Sequence, residues 1–391
     1  MIDPKPTPRT APARLLATAA LLVAGLVPLP AGLALTTRES LRSGELRASN
    51  PGGYYEGLVG GVGKGEKGAQ GPLELALMGD PIGHNRSQVK EITRELKDDF
   101  LQFDLKPSYE ATFFGQRYTT NPQGLRDREY PLDKPEGVYR IALLGASIDM
   151  GWGIADGATY ENLLESWLND ESTRRGLARR FEVINFAVPA YGPAQRYETF
   201  CRKALPYHPD LVLFASTMLD PRLVEIHLGG LIKNEVDLKY DFLRQASAEA
   251  GIDLARERST GWANLDRRDG FKARVKRHYW TFADAVLGTL AADCRSMGLP
   301  LACLLVPRAS RDDASDARAL AVARQTGIAA RHALPLIDLS ATFDEVDSAK
   351  VEIAPGDDHP NALGHRLLFE KLSRGLLADP TLARELFGDP R

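Results

Sequence analysis

Tyr139 to Gly153 reads YRIALLGASIDMGWG, and the fold turns on how this stretch is read. Residues 140–145 form a short apolar run closed by glycine, the pattern of a strand buried in a parallel sheet. Ser147 follows at once in a Gly-Ala-Ser turn. That puts a hydroxyl at the carboxyl end of a central strand, where open α/β sheets bind ligands. Backbone N–H groups of a following helical turn can there face a developing oxyanion. Glycine suits a chain that must leave the strand sharply beside a substrate. Taken alone, Gly-x-Ser is an ordinary strand-end turn. What changes the reading is Asp357-Asp358-His359-Pro360-Asn361 near the other end of the chain, because a nucleophile needs a base and the base needs an orienting acceptor.

Outward from this strand the sequence alternates as a parallel sheet requires. Apolar strand candidates lie at 140–145, 182–188, 210–216, 299–306 and 334–339, with helix candidates at 158–169, 193–205, 278–297, 315–331 and 361–377. Ala283, Val286, Leu287, Leu290, Ala291 and Cys294 recur at spacings of three and four, one stripe against a sheet. Right-handed crossovers would cover both faces. The expected class is α/β, a flavodoxin-like three-layer sandwich with a central parallel sheet of about five strands. Residues 221–277 form an insertion whose 238–256 portion reads as helical, and its position would let it lid the strand ends.

Four ordered blocks resemble the SGNH or GDSL-like hydrolase family. They are Gly145-Ala146-Ser147 with Gly151 and Gly153, Val183 to Gly192, Pro209 to Asp220, and Asp357 to Asn361 with Gly364-His365. The resemblance covers roughly residues 115–378. It implies a serine esterase that uses Ser147 as nucleophile, His359 as base, and the N–H groups of Ser147 and Ala187 as oxyanion donors. Asp357 is the expected acid, with Asp358 the rival, since the family's usual aspartate position is Gly356 here. Met150 and Trp152 are candidate walls of a substrate pocket, and an ordinary loop cluster is the alternative. Ala146 stands where the family has aspartate, and Leu219 where an asparagine amide supplies the third oxyanion donor. Leucine cannot donate, and losing one such donor costs roughly 3–4 kcal/mol, about a hundredfold or more in rate. Ser216 and Thr217 are candidate replacements. His365 reads as structural. The implied substrates are ester-bearing small molecules or saccharides, including O-acyl groups of envelope or extracellular polysaccharide. An O-acyltransferase or a non-catalytic binding or scaffold protein are the alternatives.

Composition excludes other classes. Net charge is −3, so no nucleic-acid partner is expected. The basic run Lys272 to Arg277 reads as a solvated helix face. No cofactor motif occurs; the glycines of 57–65 lack the Gly-Lys-Ser/Thr that closes a phosphate loop. The seven histidines show no paired spacing for zinc, so no metal is expected. Cys294 and Cys303 lie in apolar patterns and read as buried thiols, with one disulfide among Cys201, Cys294 and Cys303 left open.

At the N-terminus, residues 1–14 read as a cytoplasmic tail. Residues 15–35 are uncharged and mostly apolar, a transmembrane anchor or signal peptide. Residues 36–71 form a flexible stem. The 72–138 segment is an extension packed on the main domain, which spans 139–387. Within the extension, Arg86 to Asp99 reads as a modest helix and Phe103 to Tyr118 as strand-like. Thr120 to Tyr130 resembles a lead-in found in a subset of the family and reads as a structured loop over the sheet edge. The expected location is membrane-anchored with the main domain extracytoplasmic, or secreted after cleavage.

Overall fold

Five parallel strands make the central sheet: β5 (Val138–Leu144), β6 (Arg180–Asn185), β7 (Leu211–Thr217), β8 (Leu301–Val306) and β9 (Leu336–Asp338), in spatial order β6-β5-β7-β8-β9. The computed structural model describes residues 89–260, 265–309, 315–355 and 357–388. Relative to the chain, this order places the second strand beside the first and the third on the first strand's other side. The direction of winding therefore reverses between β5 and β7, and the crevice beyond their carboxyl ends is the place where such sheets bind ligands. Ile141 to Leu144 of β5 pair with Leu211 to Phe214 of β7, so the chain segments that follow, from Gly145 and from Thr217, emerge side by side.

The two-residue alternation of the strands sorts their side chains between two cores. Ala142, Leu144, Ile184, Val212, Phe214 and Cys303 face one side. They pack there with α3 (Pro193–Thr199), α4 (Asp220–Lys233), α5 (Asp241–Glu249) and α7 (Leu265–Ser296). On the other side Ile141, Leu143, Val183, Leu213 and Leu304 meet α2 (Tyr160–Arg174), α10 (Ala362–Ala378) and α11 (Pro380–Phe387). This is the expected three-layer α/β sandwich. Helix α7 begins earlier than its apolar stripe suggested, because Phe271 and Val275 prolong that stripe into the first core. The insertion forms α4, α5, α6 (Leu254–Ser259) and the start of α7, with Leu228, Leu231, Leu243 and Leu254 in the same core. It builds much of one helical layer.

Arg140 lies within what reads as an apolar run, yet its side chain is fully buried. Its Nε donates to Glu182 Oε2 at 2.9 Å, and its other nitrogens donate to the carbonyls of Pro131, Leu132 and Tyr207. A buried guanidinium is tolerated when its charge is paired and its donors are used.

Before the sheet, β1 (Thr93–Leu96) pairs antiparallel with β2 (Gln102–Leu105), and β3 (Glu110–Phe113) with β4 (Gln116–Thr119). The strand character of 103–118 matches expectation. The helix expected over 86–99 does not extend through Thr93–Leu96, where pairing with β2 satisfies the backbone instead.

The membrane placement is corrected. Among the described residues no helix is long and apolar enough to cross a membrane, and the run at 15–35, like the tail at 1–14 and the stem at 36–71, lies outside them. The longest described helix, α7 with 32 residues, carries Lys272, Arg274, Lys276 and Arg277 in its first half. Such charges are expensive in hydrocarbon. Anchor, membrane partner and extracytoplasmic location therefore do not enter the functional reading. The three cysteines are free thiols, Cys294 and Cys303 buried.

Candidate active site

Strand β5 runs into Gly145, and a short helical turn α1 (Ser147–Met150) starts two residues later. Gly145 is required by close approach: a Cβ there would lie 2.3 Å from Asp149 Oδ2. Gly151 closes the turn in the left-handed conformation at φ 84°, donating its N–H to the Ile148 carbonyl. Ser147 thus stands at the first position of a helical turn above the sheet's switch point.

Opposite it, β10 (Glu352–Ala354) and β11 (Asp357–Pro360) form a two-stranded ribbon leading into α10. In a strand, residues two apart share a face. Asp357 and His359 therefore point together, while Asp358 lies on the other face. His359 Nε2 lies 2.7 Å from Ser147 Oγ, and His359 Nδ1 lies 2.5 Å from Asp357 Oδ1. Asp358 instead accepts from Arg308 Nε at 2.5 Å, and its nearer oxygen is 3.9 Å from His359 Nδ1. The ligand atoms of Asp357, Asp358 and His359 lie within 4.8 Å of one another. Internal pairing to imidazole and guanidinium nevertheless makes them a poor vacant metal cage.

Ser147 and His359 are each 3 % exposed and Asp357 5 %. Burial opposes the charged imidazole, but the Asp357 charge and hydrogen bond, with Asp358 adding to them, outweigh it and hold His359 above the ordinary imidazole value. Only neutral imidazole can take a proton from serine. Any Ser147-dependent turnover should therefore climb with pH through a midpoint above about 6.5. A kcat/KM profile whose acid limb centres at or below that value would contradict this electrostatic reading.

The roof over these groups is aromatic. Trp152, fully buried, stacks on the His359 ring with centroids 5.1 Å apart and planes at 22°. Phe113 of β3 packs edge-on against Trp152 at 4.5 Å. Met150 lies in the same cluster, its sulfur 3.9 Å from the Tyr118 hydroxyl. Trp152 thus lies against His359 as well as the extension, whereas Met150 is packed with the extension. The extension, through β3 and β4, covers this region.

Several site-shaping residues have no counterpart among the sequence-based candidates. Arg126, in the lead-in, donates to the carbonyls of Met150, Gly151 and Ile154 and pairs with Asp156 at 3.2 Å. It clamps the loop after the Ser147 turn. Nearby, Asp127 accepts the Asn185 N–H at 2.9 Å, and burial raises its carboxyl to about 7. Asn185 ties the end of β6 to α1 and to the following loop: its Nδ2 donates to the Asp149 carbonyl at 2.8 Å, and its Oδ1 accepts the Ala187 N–H at 3.0 Å. The expected oxyanion donor at Ala187 therefore already has an acceptor in the unliganded protein.

Leu219 caps α4 and packs against the cluster containing Ala146, Trp152 and Ala187. The two replacements considered for the missing amide are engaged elsewhere. Ser216 Oγ accepts from Gln325 at 3.2 Å, and Thr217 Oγ1 accepts the Leu219 N–H at 3.5 Å. The turn is held from beneath by Asp220, which accepts the Thr217 N–H at 3.1 Å and pairs with buried Arg196 at 2.7 Å.

No protein family profile matches the chain, and no curated protein matches it. Solved structures similar to it include a lipase/acylhydrolase from Enterococcus faecalis, at 17% identity and TM-score 0.36, covering 61% of this chain and 96% of that one. Another is the acetylxylan esterase Axe2 from Geobacillus stearothermophilus, at 13% identity and TM-score 0.39, covering 61% and 93%. A third is LAE5, an α/β hydrolase enzyme from the metagenome of Lake Arreo, Spain, at 16% identity and TM-score 0.39, covering 64% and 97%. The chain thus has low-identity structural similarity to esterases and lipases, a likeness that carries no argument about its own activity or substrate.

Proposed function

We propose that the protein is a serine esterase working through an acyl-enzyme. The observation that carries the reading is the relay from Ser147 Oγ through His359 to Asp357, at 2.7 and 2.5 Å, at the switch point of a parallel sheet. Ser147 Oγ attacks the ester carbonyl carbon as its proton passes to His359 Nε2. The tetrahedral intermediate collapses, the C–O bond to the alcohol breaks, and the alcohol leaves with that proton. Water then gives a proton to the same nitrogen, attacks the acyl-serine, and releases the acid as Ser147 regains its hydrogen. If a sugar hydroxyl takes the place of water, the same steps make an O-acyltransferase. Asp357 fixes the tautomer and balances the imidazolium charge.

Charge on the intermediate falls to the N–H of Ser147, joined by that of Ala187 when the oxyanion draws it from Asn185 Oδ1. With Leu219 contributing no donor, catalysis is expected to be slow. Leu219→Asn should raise kcat by up to about a hundredfold if its amide reaches the oxyanion. An unchanged or lower kcat, in a variant that unfolds at the wild-type temperature, would mean that the turn from Thr217 to Asp220 aims residue 219 elsewhere. The substrate class is a carboxylic ester, with O-acylated saccharides as one candidate suggested by the family resemblance. Ser147 and His359 are both buried, and Trp152 lies on the His359 ring, so the acyl group must displace neighbouring side chains to reach Ser147.

The direct test is acid release from p-nitrophenyl acetate by the full chain, together with covalent labelling by a serine-directed phosphonate. Turnover with label on Ser147 supports the reading. No release, no transfer to an oligosaccharide acceptor and no label would overturn it and leave a binding or scaffold role on the same fold.

A further inference from the structure

Ala146 is the residue from which α1 springs, and its methyl side chain cannot cap anything. The capping group comes instead from inside the turn. Asp149, 3 % exposed, reaches back so that its Oδ2 accepts the Ala146 N–H at 2.7 Å. This is half of a capping box, the half that an alanine at the first position can still complete. The other oxygen, Oδ1, accepts the Tyr160 hydroxyl at 2.7 Å. Tyr160 opens α2, and its own N–H donates to His365 Nδ1 at 3.1 Å. His365 lies on α10, the helix that continues directly from the His359 strand, and its ring stacks on Tyr160 at 5.9 Å and 18°. Tyr160 and His365 are both fully buried.

The connection runs unbroken from the nucleophile turn to the helix behind the base: Ala146 N–H to Asp149, Tyr160 O–H to Asp149, Tyr160 N–H to His365. Each polar atom on this path has its role fixed. Both Asp149 oxygens accept, as a carboxylate's do, although burial raises its pKa against these bonds. His365 accepts at Nδ1 and so carries its proton on Nε2, in keeping with a pKa that burial lowers to about 3. The Asp149 main chain is tied as well, its carbonyl accepting from Asn185 Nδ2 at 2.8 Å. One residue therefore anchors the nucleophile turn to the neighbouring strand β6, to α2 and, through Tyr160, to α10.

We propose that Asp149 is a positioning residue for the esterase reaction: its carboxylate sets the backbone at Ala146, and with it the direction in which Ser147 Oγ meets His359. The inference rests on the esterase reading above. It makes Asp149, with Tyr160 and His365 behind it, the group that supplies an acid to a turn whose position 146 is alanine.

The test uses the full chain and counts active sites by phosphonate titration, so that turnover is expressed per competent molecule. Asp149→Ala should lower kcat per active site by about 10- to 100-fold with KM within about twofold, the signature of misdirected rather than unbound reactants. Asp149→Asn should recover part of the loss, because its single amide oxygen can still accept the Ala146 N–H. Tyr160→Phe, which removes only the hydroxyl and remains informative should Asp149→Ala fail to fold, should lose about three- to tenfold. The double variant should be no slower than Asp149→Ala alone, since both act through one carboxylate. A wild-type kcat per active site in Asp149→Ala or Tyr160→Phe, with only fewer competent molecules or a lower Tm, would reduce Asp149 to a structural role and overturn the proposal. Wild type that neither releases acid nor takes the label would instead overturn the esterase reading, and the inference with it.

Discussion

Ser147→Ala is expected to lower ester release by about 10⁶-fold, leaving only the rate that binding and the oxyanion donors supply. The size follows from what is lost. Without Oγ there is no acyl-enzyme, and His359, 2.7 Å away in the wild type, has no proton to accept. His359→Ala should cost nearly as much, and the double variant no more than either, because nucleophile and base act as one unit. Since Ser147 is buried, alanine removes a hydroxyl without exposing a surface. Purified Ser147→Ala should therefore unfold close to the wild-type temperature, and its turnover can be compared directly with wild type. Ester release that persists undiminished in Ser147→Ala would refute the nucleophile.

The second large effect is expected at Asp357. Asp357→Asn should lower kcat by about 10⁴-fold, because an amide nitrogen facing Nδ1 favours the tautomer whose proton sits on Nε2. His359 would then present a hydrogen to Ser147 where it must accept one. The same substitution removes the charge and hydrogen bond that raise the imidazole, leaving burial to lower it. Residual activity should consequently show its acid limb at lower pH than wild type. Asp358→Asn is the contrast, since Asp358 faces Arg308 and stands 3.9 Å from the ring. Stopped-flow rates across pH for the two variants would separate them, and equal losses in kcat would reject Asp357 as the sole orienting acid.

The aromatic roof bears on how these experiments are read. Trp152 stacks on His359 and is itself held by Phe113 of the extension. A ring against the imidazole excludes water and keeps its charge interactions strong. Phe113 belongs to a part of the chain that precedes the sheet. Truncating the extension for convenience would remove one wall of the site.

The order of strands and helices was legible because it is written in local periodicity. The run before Ser147, the stripe through Ala283 and Cys294, and the apolar stretches near 182, 211 and 301 each announce their element through the spacing of their own side chains. Ser147 stood out by its place at the end of that first strand, and the Asp357 to His359 segment by its place before the last helix and by the family resemblance. Local periodicity gave no account of Arg140 inside the first strand, because burial of that guanidinium depends on Glu182 and on carbonyls at 131, 132 and 207, none of them local. It favoured helix over Thr93–Leu96, where an antiparallel partner at Gln102–Leu105 outweighs propensity. Asp149 left a visible trace, an acid three residues after the residue that opens a helical turn, but a capping signal without a side-chain cap at Ala146 is easily passed over.

Sequence by itself determined the layered α/β class, the strand that delivers Ser147, and the residue types available for acyl transfer, since each follows from the spacing of neighbours along the chain. Tertiary structure alone decided which aspartate faces His359, because that depends on β11 being a strand, in which positions two apart share a face. It alone decided that the Ala187 N–H is held by Asn185, that Arg126 clamps the loop after the Ser147 turn, and that Trp152 stacks on His359. The last two join residues tens to hundreds of positions apart, and the first, between residues two apart, depends on the turn the chain takes after β6; a hydrogen bond or a ring contact depends on distance in space, on which separation along the chain is silent.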